Sequence, residues 1–211
     1  MIGIYGGTFD PIHHGHLRAA LEIAQQLDLQ QVRFIPCAQP VHRAAPNVSA
    51  QQRCAMLELA IADQPKFVLD RIEIERDGPS YMVTTLQSLA EVFAEPGMVL
   101  LLGTDAFAQF CRWHEWRKIL QLANLAVMHR PGEGLNFIGE EAALFAQCRV
   151  ARFTQRSGQI LDVAITQLDI RSTRIRQQIQ HGIHPDYLTP PAVVQFIQQQ
   201  GLYQRISTPA L

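Results

Sequence analysis

Gly6-Gly7-Thr8-Phe9-Asp10-Pro11-Ile12-His13-His14-Gly15-His16 follows an apolar start, with Ile2 and Ile4 flanking Gly3, and precedes Leu17, Ala20, Leu21, Ala24 and Leu27 at helical spacing. That order predicts a buried strand, a glycine turn and a helix whose first-turn amides attract an anion. His13 and His16 fall within one helical turn, so both imidazoles can face one phosphate. In isolation Gly6-Gly7 marks an ordinary turn more often than a nucleotide site, and either histidine suits a capping or hydrogen-bonding role equally well. The chain has neither a Gly-Lys-Ser/Thr phosphate loop nor a Gly-x-Gly-x-x-Gly fingerprint, so any nucleotide here needs a different geometry. With no third ligand at diagnostic spacing, zinc is disfavoured and no protein metal site is predicted.

Outward from this stretch, residues 32–36 read as a second strand, separated from the first by a crossover helix. A Pro- and His-containing loop over 38–48 ends at Ser49-Ala50-Gln51-Gln52, which has the form of a capping box. The helix it opens carries Met56, Leu57, Ala60 and Ile61. Residues 67–74 suggest one or two short strands, and Ser80 is a candidate cap for a helix with Val83, Leu86, Leu89, Ala90 and Phe93 inward. Further strands are expected over 98–102, 125–128 and 163–168. Helices follow from a Ser172 cap to about His181 and over 191–200, where Gly201 stops the last one. Alternation of this kind predicts a doubly wound α/β fold with a small helical C-terminal portion. Ligands then gather beyond the carboxyl ends of the strands.

Two more polar clusters fall at such ends. In Asp169-Ile170-Arg171-Ser172-Thr173-Arg174-Ile175-Arg176, hydroxyls and the Arg176 fork suit phosphate, although a capped helix with solvated arginines has the same pattern. Asp105, after Gly103-Thr104, can hold a ribose hydroxyl, orient a metal-bound water or cap a helix. Trp113 and Trp116 offer surfaces for a planar ring or for packing. His42 and Arg43 can bring charge to a second phosphate. Lys and Arg total 18 against 19 Asp and Glu, a formal charge of -1, so no broad basic field favours a nucleic-acid polymer. Cys37, Cys54, Cys111 and Cys148 are scattered like free thiols of a reducing compartment. There is no bilayer-length apolar run and no secretory pattern at residues 1–5, so the expectation is a cytoplasmic protein with no membrane partner. Oligomeric state is left open.

The ordered set GGTFDPIHHGH (6–16), QPVHR (39–43), QRCAMLELAIAD (52–63), PSYMVTTL (79–86), LLGTDAF (101–107), WHEW (113–116), HRPG (129–132), RSTRIR (171–176) and VVQFIQQQGLY (193–203) resembles the bacterial nicotinate-nucleotide adenylyltransferase family. This family is a branch of the HIGH-type nucleotidyltransferases. The resemblance implies a Rossmann-like sheet in a single nucleotidyltransferase domain over 1–211, helical from about 172. It implies transfer of the adenylyl group of ATP to nicotinate mononucleotide, giving deamido-NAD and pyrophosphate without a protein nucleophile. Nicotinamide mononucleotide or another phosphorylated acceptor, and an inactive nucleotide-binding regulator, are the alternatives. In the implied assignment His13 and His16 are catalytic phosphate binders, and Gly7, Thr8, Phe9, Asp105, Ser172, Thr173 and Arg176 complete the ATP site. His42, Arg43, Thr85 and Trp113 serve the acceptor, with Trp113 stacking on the pyridine ring and backbone donors reading its carboxylate. Mg2+ accompanies the substrate phosphates. Two departures stand out: Arg171 occupies a position where the family usually has Ser, and His114 one where many members have Tyr.

Overall fold

A computed structural model describes residues 1–39, 45–93, 95, 97–132, 134–166 and 168–204. Six parallel strands form one sheet: β1 (Ile2–Gly7), β2 (Gln31–Pro36), β3 (Phe67–Leu69), β4 (Met98–Gly103), β5 (Asn124–His129) and β6 (Ile160–Ala164), in the order β3-β2-β1-β4-β5-β6. After β1 the chain winds outward to β3, returns to β4 beside β1, and then winds the other way. The β1/β4 boundary is therefore the topological switch point, where the loops after the two strands part and leave a crevice.

Eight α-helices surround the sheet: α1 (His14–Gln26), α2 (Ala50–Ile61), α3 (Met82–Val92), α4 (Thr104–Phe107), α5 (Trp116–Leu122), α6 (Gly139–Cys148), α7 (Ser172–Gln180) and α8 (Pro191–Gln199), counted among the described residues. The sheet is buried on both faces, which gives near-continuous apolar strands such as Met98–Gly103. On one face Ala19, Ala20, Ile23 and Ala24 of α1 pack with Met56 and Leu57 of α2 and Val193 and Ile197 of α8. On the other, Val83, Leu86 and Leu89 of α3 meet Phe107, Phe110 and Ile119. Among these described helices none is long and apolar enough to cross a membrane.

The capping box is realised: Ser49 Oγ accepts from the Gln52 amide at 3.2 Å, and the Gln52 side chain accepts from the Ser49 amide at 3.0 Å. One short strand lies within 67–74, as expected; it is Phe67–Leu69 and ends where Asp70 Oδ1 accepts from the Ile72 amide and closes a turn. Three expectations need correction. The strand expected over 163–168 is Ile160–Ala164, displaced toward the N-terminus. Ser80 is not the cap of α3; Tyr81 holds that position, and Ser80 Oγ instead accepts from the amides of Ala38 and Gln39 at 2.9 and 3.2 Å. Ser172 is not the cap of α7 either, since Arg171 precedes the helix. Both hydroxyls are drawn to a backbone group of a distant loop.

Candidate active site

The crevice beside β1 is lined by the opening motif. Phe9 takes a left-handed backbone conformation, φ 49°, and its buried ring meets those of Tyr5 and His16 edge-on at 5.7 and 5.2 Å. Gly7 is required by that ring, because a Cβ there would lie 2.9 Å from it. Phe9 therefore packs its ring against His16 and turns the backbone of the loop after β1. The rings of His13 and His16 stack at 3.7 Å with 26° between their planes. Gly15 makes the stack possible, as a Cβ would sit 3.0 Å from His13 Nδ1. The His14 amide, in contrast to an open helix end, already donates to Leu188 O at 3.0 Å. The imidazoles and the loop after β1 are thus the principal groups this end of α1 can present to an anion.

His13 is buried, and its Nδ1 has no hydrogen-bond partner among the described residues. Burial first, and the neighbouring His14 second, push its pKa down to about 4. The ring is neutral at pH 7 and contributes as an oriented dipole. A pH dependence follows. The unfolded chain binds the proton below about pH 6.5 and the folded chain only near 4, so His13's contribution is full above 6.5 and lost as pH falls from 6.5 to 4. The loss should reach about 3 kcal/mol. Denaturant melts at pH 7 and 5 should show a smaller drop for His13→Asn than for the unaltered chain, and equal drops would count against this assignment.

The distant C-terminal cluster does arrive at the opening motif. Ser172 Oγ donates to Pro11 O at 2.9 Å, Arg176 Nη1 to Asp10 O at 2.6 Å, and Thr189 Oγ1 to Ile12 O at 2.8 Å. Arg176 Nη2 also reaches Thr173 Oγ1 at 3.4 Å. Asp10 is buried and its carboxylate accepts from Tyr203 Oη at 2.7 Å and from the amide and Nδ2 of Asn47 at 2.8 and 3.0 Å. Beneath the loop Arg53, 1% exposed, donates to Thr8 O at 2.8 Å and Cys37 O at 2.6 Å, tying the ends of β1 and β2 together. Sequence reading missed Arg53, Asn47 and Tyr203. The available signal for Arg53 was a lone arginine among Met56, Leu57 and Ile61 on the buried face of α2.

Across the switch point Asp105 is exposed in the first turn of α4, at the end of β4, where a carboxylate complements the helix dipole. Further along, Trp113 is half-buried with its ring 5.6 Å from Phe110, and His114 lies over Tyr81 at 4.3 Å with planes 30° apart. The WHEW segment therefore meets the start of α3. Thr85, in the same helix, is fully buried; its hydroxyl donates to Glu73 Oε1 at 2.7 Å and receives Arg76 Nη2 at 3.3 Å. Its side chain is thus committed internally. Burial raises the pKa of Glu73, opposed by hydrogen bonds from Thr85 and Ser80. His42 and Arg43 lie outside the described residues. Among those described, no three His, Cys, Asp or Glu side chains gather to hold a metal, and Cys54, Cys111 and Cys148 are free thiols.

A six-stranded parallel sheet with stacked histidines at its switch point, His13 before α1 and His16 within it, faced by a hydroxyl- and arginine-bearing helix, defines a nucleotide-binding protein of the doubly wound α/β class. The cytidylyltransferase-like family model matches residues 4–178. Relatives named probable nicotinate-nucleotide adenylyltransferase include one from Hydrogenovibrio crunogenus, 52% identical over 97% of this chain and 98% of its own length, and one from Methylococcus capsulatus, 43% identical over 97% and 100%. The chain belongs to the cytidylyltransferase-like family and, within it, to the nicotinate-nucleotide adenylyltransferases. Among solved structures, the Plasmodium falciparum nicotinic acid mononucleotide adenylyltransferase complexed with NaAD has the same fold, with a TM-score of 0.74 at 19% identity over 96% of each chain.

Proposed function

We propose that the chain transfers the adenylyl group of ATP to nicotinate mononucleotide, forming deamido-NAD and releasing pyrophosphate. The observation that carries this reading is the convergence of His13, His16, Ser172 and Arg176 on the loop after β1, in a chain 52% identical to a relative bearing that activity in its name. The acceptor phosphate is already a nucleophile, so the protein's work is alignment and compensation of charge developing at the α-phosphate. His16, backed by Phe9 and stacked on neutral His13, is assigned to that phosphate. Thr8 and the backbone of Gly7 and Phe9 form the cradle. Ser172, Thr173 and Arg176 receive the departing pyrophosphate, and Asp105 takes the ribose. Acceptor phosphate is assigned to His42 and Arg43, and the pyridine ring to Trp113. Since the Thr85 hydroxyl is occupied by Glu73, carboxylate recognition there falls to backbone donors.

Magnesium enters with ATP in this reading. Bound with the nucleotide, this hard cation would favour phosphate and water oxygens and would screen the phosphate charge. The whole chain is read as one nucleotidyltransferase domain whose helical end, from about residue 172, braces the phosphate loop. A cytoplasmic location agrees with ATP and mononucleotides as substrates and with the free thiols of Cys54, Cys111 and Cys148.

One assay tests the function. Purified chain with Mg2+ and ATP should release pyrophosphate fastest with nicotinate mononucleotide and form deamido-NAD, whereas a preference for nicotinamide mononucleotide or phosphopantetheine would overturn the acceptor. ATP binding without turnover would point to a regulator. Trp113→Ala should raise the acceptor KM about tenfold, the scale of a lost stacking contact, and leave the ATP KM nearly unchanged. An altered ATP KM with an unchanged acceptor KM would reverse the assignment.

A further inference from the structure

Asp10 presents a problem for any site that binds polyphosphate, because it puts a buried carboxylate in the very loop that the anion approaches. Both carboxylate oxygens are nevertheless engaged from behind. Tyr203, 193 residues further along and only 8% exposed, donates to Oδ1 at 2.7 Å. Asn47 donates twice to Oδ2, at 2.8 and 3.0 Å, and Arg176 Nη1 lies 3.8 Å from the same oxygen. Burial and the Asp10 charge both raise the pKa of Tyr203, so its hydroxyl remains a donor.

We infer that Tyr203 and Asn47 are positioning residues for ATP: by holding both oxygens of the Asp10 carboxylate they keep its charge turned away from the polyphosphate and fix the loop over residues 8–13. The inference rests on the adenylyl-transfer reading, through the anion it assigns to that loop. A carboxylate deprived of a buried donor is poorly stabilised where it stands and turns toward water or toward any cation of the phosphate site. Arg176, which bridges Asp10 and the proposed pyrophosphate side, would then be drawn onto the carboxylate and away from substrate. Electrostatic competition of this kind weakens ATP binding, and neutralising Asp10 removes it.

Tyr203→Phe deletes one oxygen and leaves the ring's packing in place. It should raise the ATP KM, and the ATP Kd measured by calorimetry, about tenfold, the effect of one hydrogen bond to a charged group. The acceptor KM should stay within about twofold. Asn47→Ala, which keeps the backbone donor, should show a smaller rise. The deciding variant is Asp10→Asn in the Tyr203→Phe background, which should recover part of the lost ATP affinity. A merely structural role predicts the opposite, a double variant that binds ATP no better than Tyr203→Phe and melts lower. Tyr203→Phe with unaltered ATP affinity, or a double variant without recovery, overturns the inference while an active unaltered chain leaves the function standing. An unaltered chain that neither binds ATP nor turns over would overturn both.

Discussion

His16→Ala is expected to slow pyrophosphate release by about 10²- to 10³-fold, the scale of removing one preorganised donor from a developing oxyanion, with little change in stability. The two effects separate because His16 is only half-buried, so little apolar surface is lost, while its orientation is fixed by neighbours that survive the substitution. Phe9 still fills the space behind it and His13 still packs over Gly15. Loss of the ring contacts should cost about 1 kcal/mol, which for a chain of 211 residues is a fall of roughly 2–4 °C in thermal midpoint. Steady-state turnover and thermal melts on the same preparation check both halves. Retention of turnover and ATP affinity by a folded variant would remove His16 from the mechanism.

The second large effect is expected at Arg53, where stability should suffer directly. Its guanidinium spans two carbonyls, Thr8 O and Cys37 O, at the ends of neighbouring strands. Arg53→Met leaves both without that donor. Hydrogen bonds from a charged donor are worth about 1.5–3 kcal/mol each. Against this, methionine avoids the cost of dehydrating a buried cation. The net destabilisation should be about 3 kcal/mol, read from denaturant unfolding. Arg53→Lys keeps the charge but cannot span both carbonyls, and should recover less than half. Because Thr8 belongs to the proposed cradle, turnover should fall in both variants even at temperatures where they are fully folded. If Arg53→Met proved as stable as the unaltered chain, dehydration of the cation would outweigh its two hydrogen bonds.

These expectations share one design feature. The proposed cradle around Thr8 sits on a loop whose carbonyls are individually held: Thr8 by Arg53, Asp10 by Arg176, Pro11 by Ser172 and Ile12 by Thr189. Satisfying buried carbonyls in this way fixes the loop before a ligand arrives, so less ordering cost falls on binding. It also gives Ser172 and Arg176 two tasks, since they brace the loop as well as face the phosphates assigned to them. Substituting either is therefore expected to affect folding and turnover together, unlike His16.

Local patterning accounts for the alternation of strands and helices, because apolar spacing and turn residues act within a few positions of one another. Five strands, the end of the sixth, and the helices around 17–27, 50–61, 82–92, 172–180 and 191–199 were legible in that way. The stack of His13 and His16 across Gly15, and the fit of the Phe9 ring beside Gly7, are by contrast contacts of the folded chain. Tertiary structure alone decided which hydroxyl does what. Ser80 and Ser172 have the local form of helix caps, yet each bonds to a loop far along the chain, because an unpaired backbone group offers more than a helix end that water can satisfy. The same reasoning covers Thr85, turned inward to Glu73, and Tyr203, brought across 193 residues to Asp10. Pairings of that range follow from the winding of the sheet, and no periodicity in the chain records them.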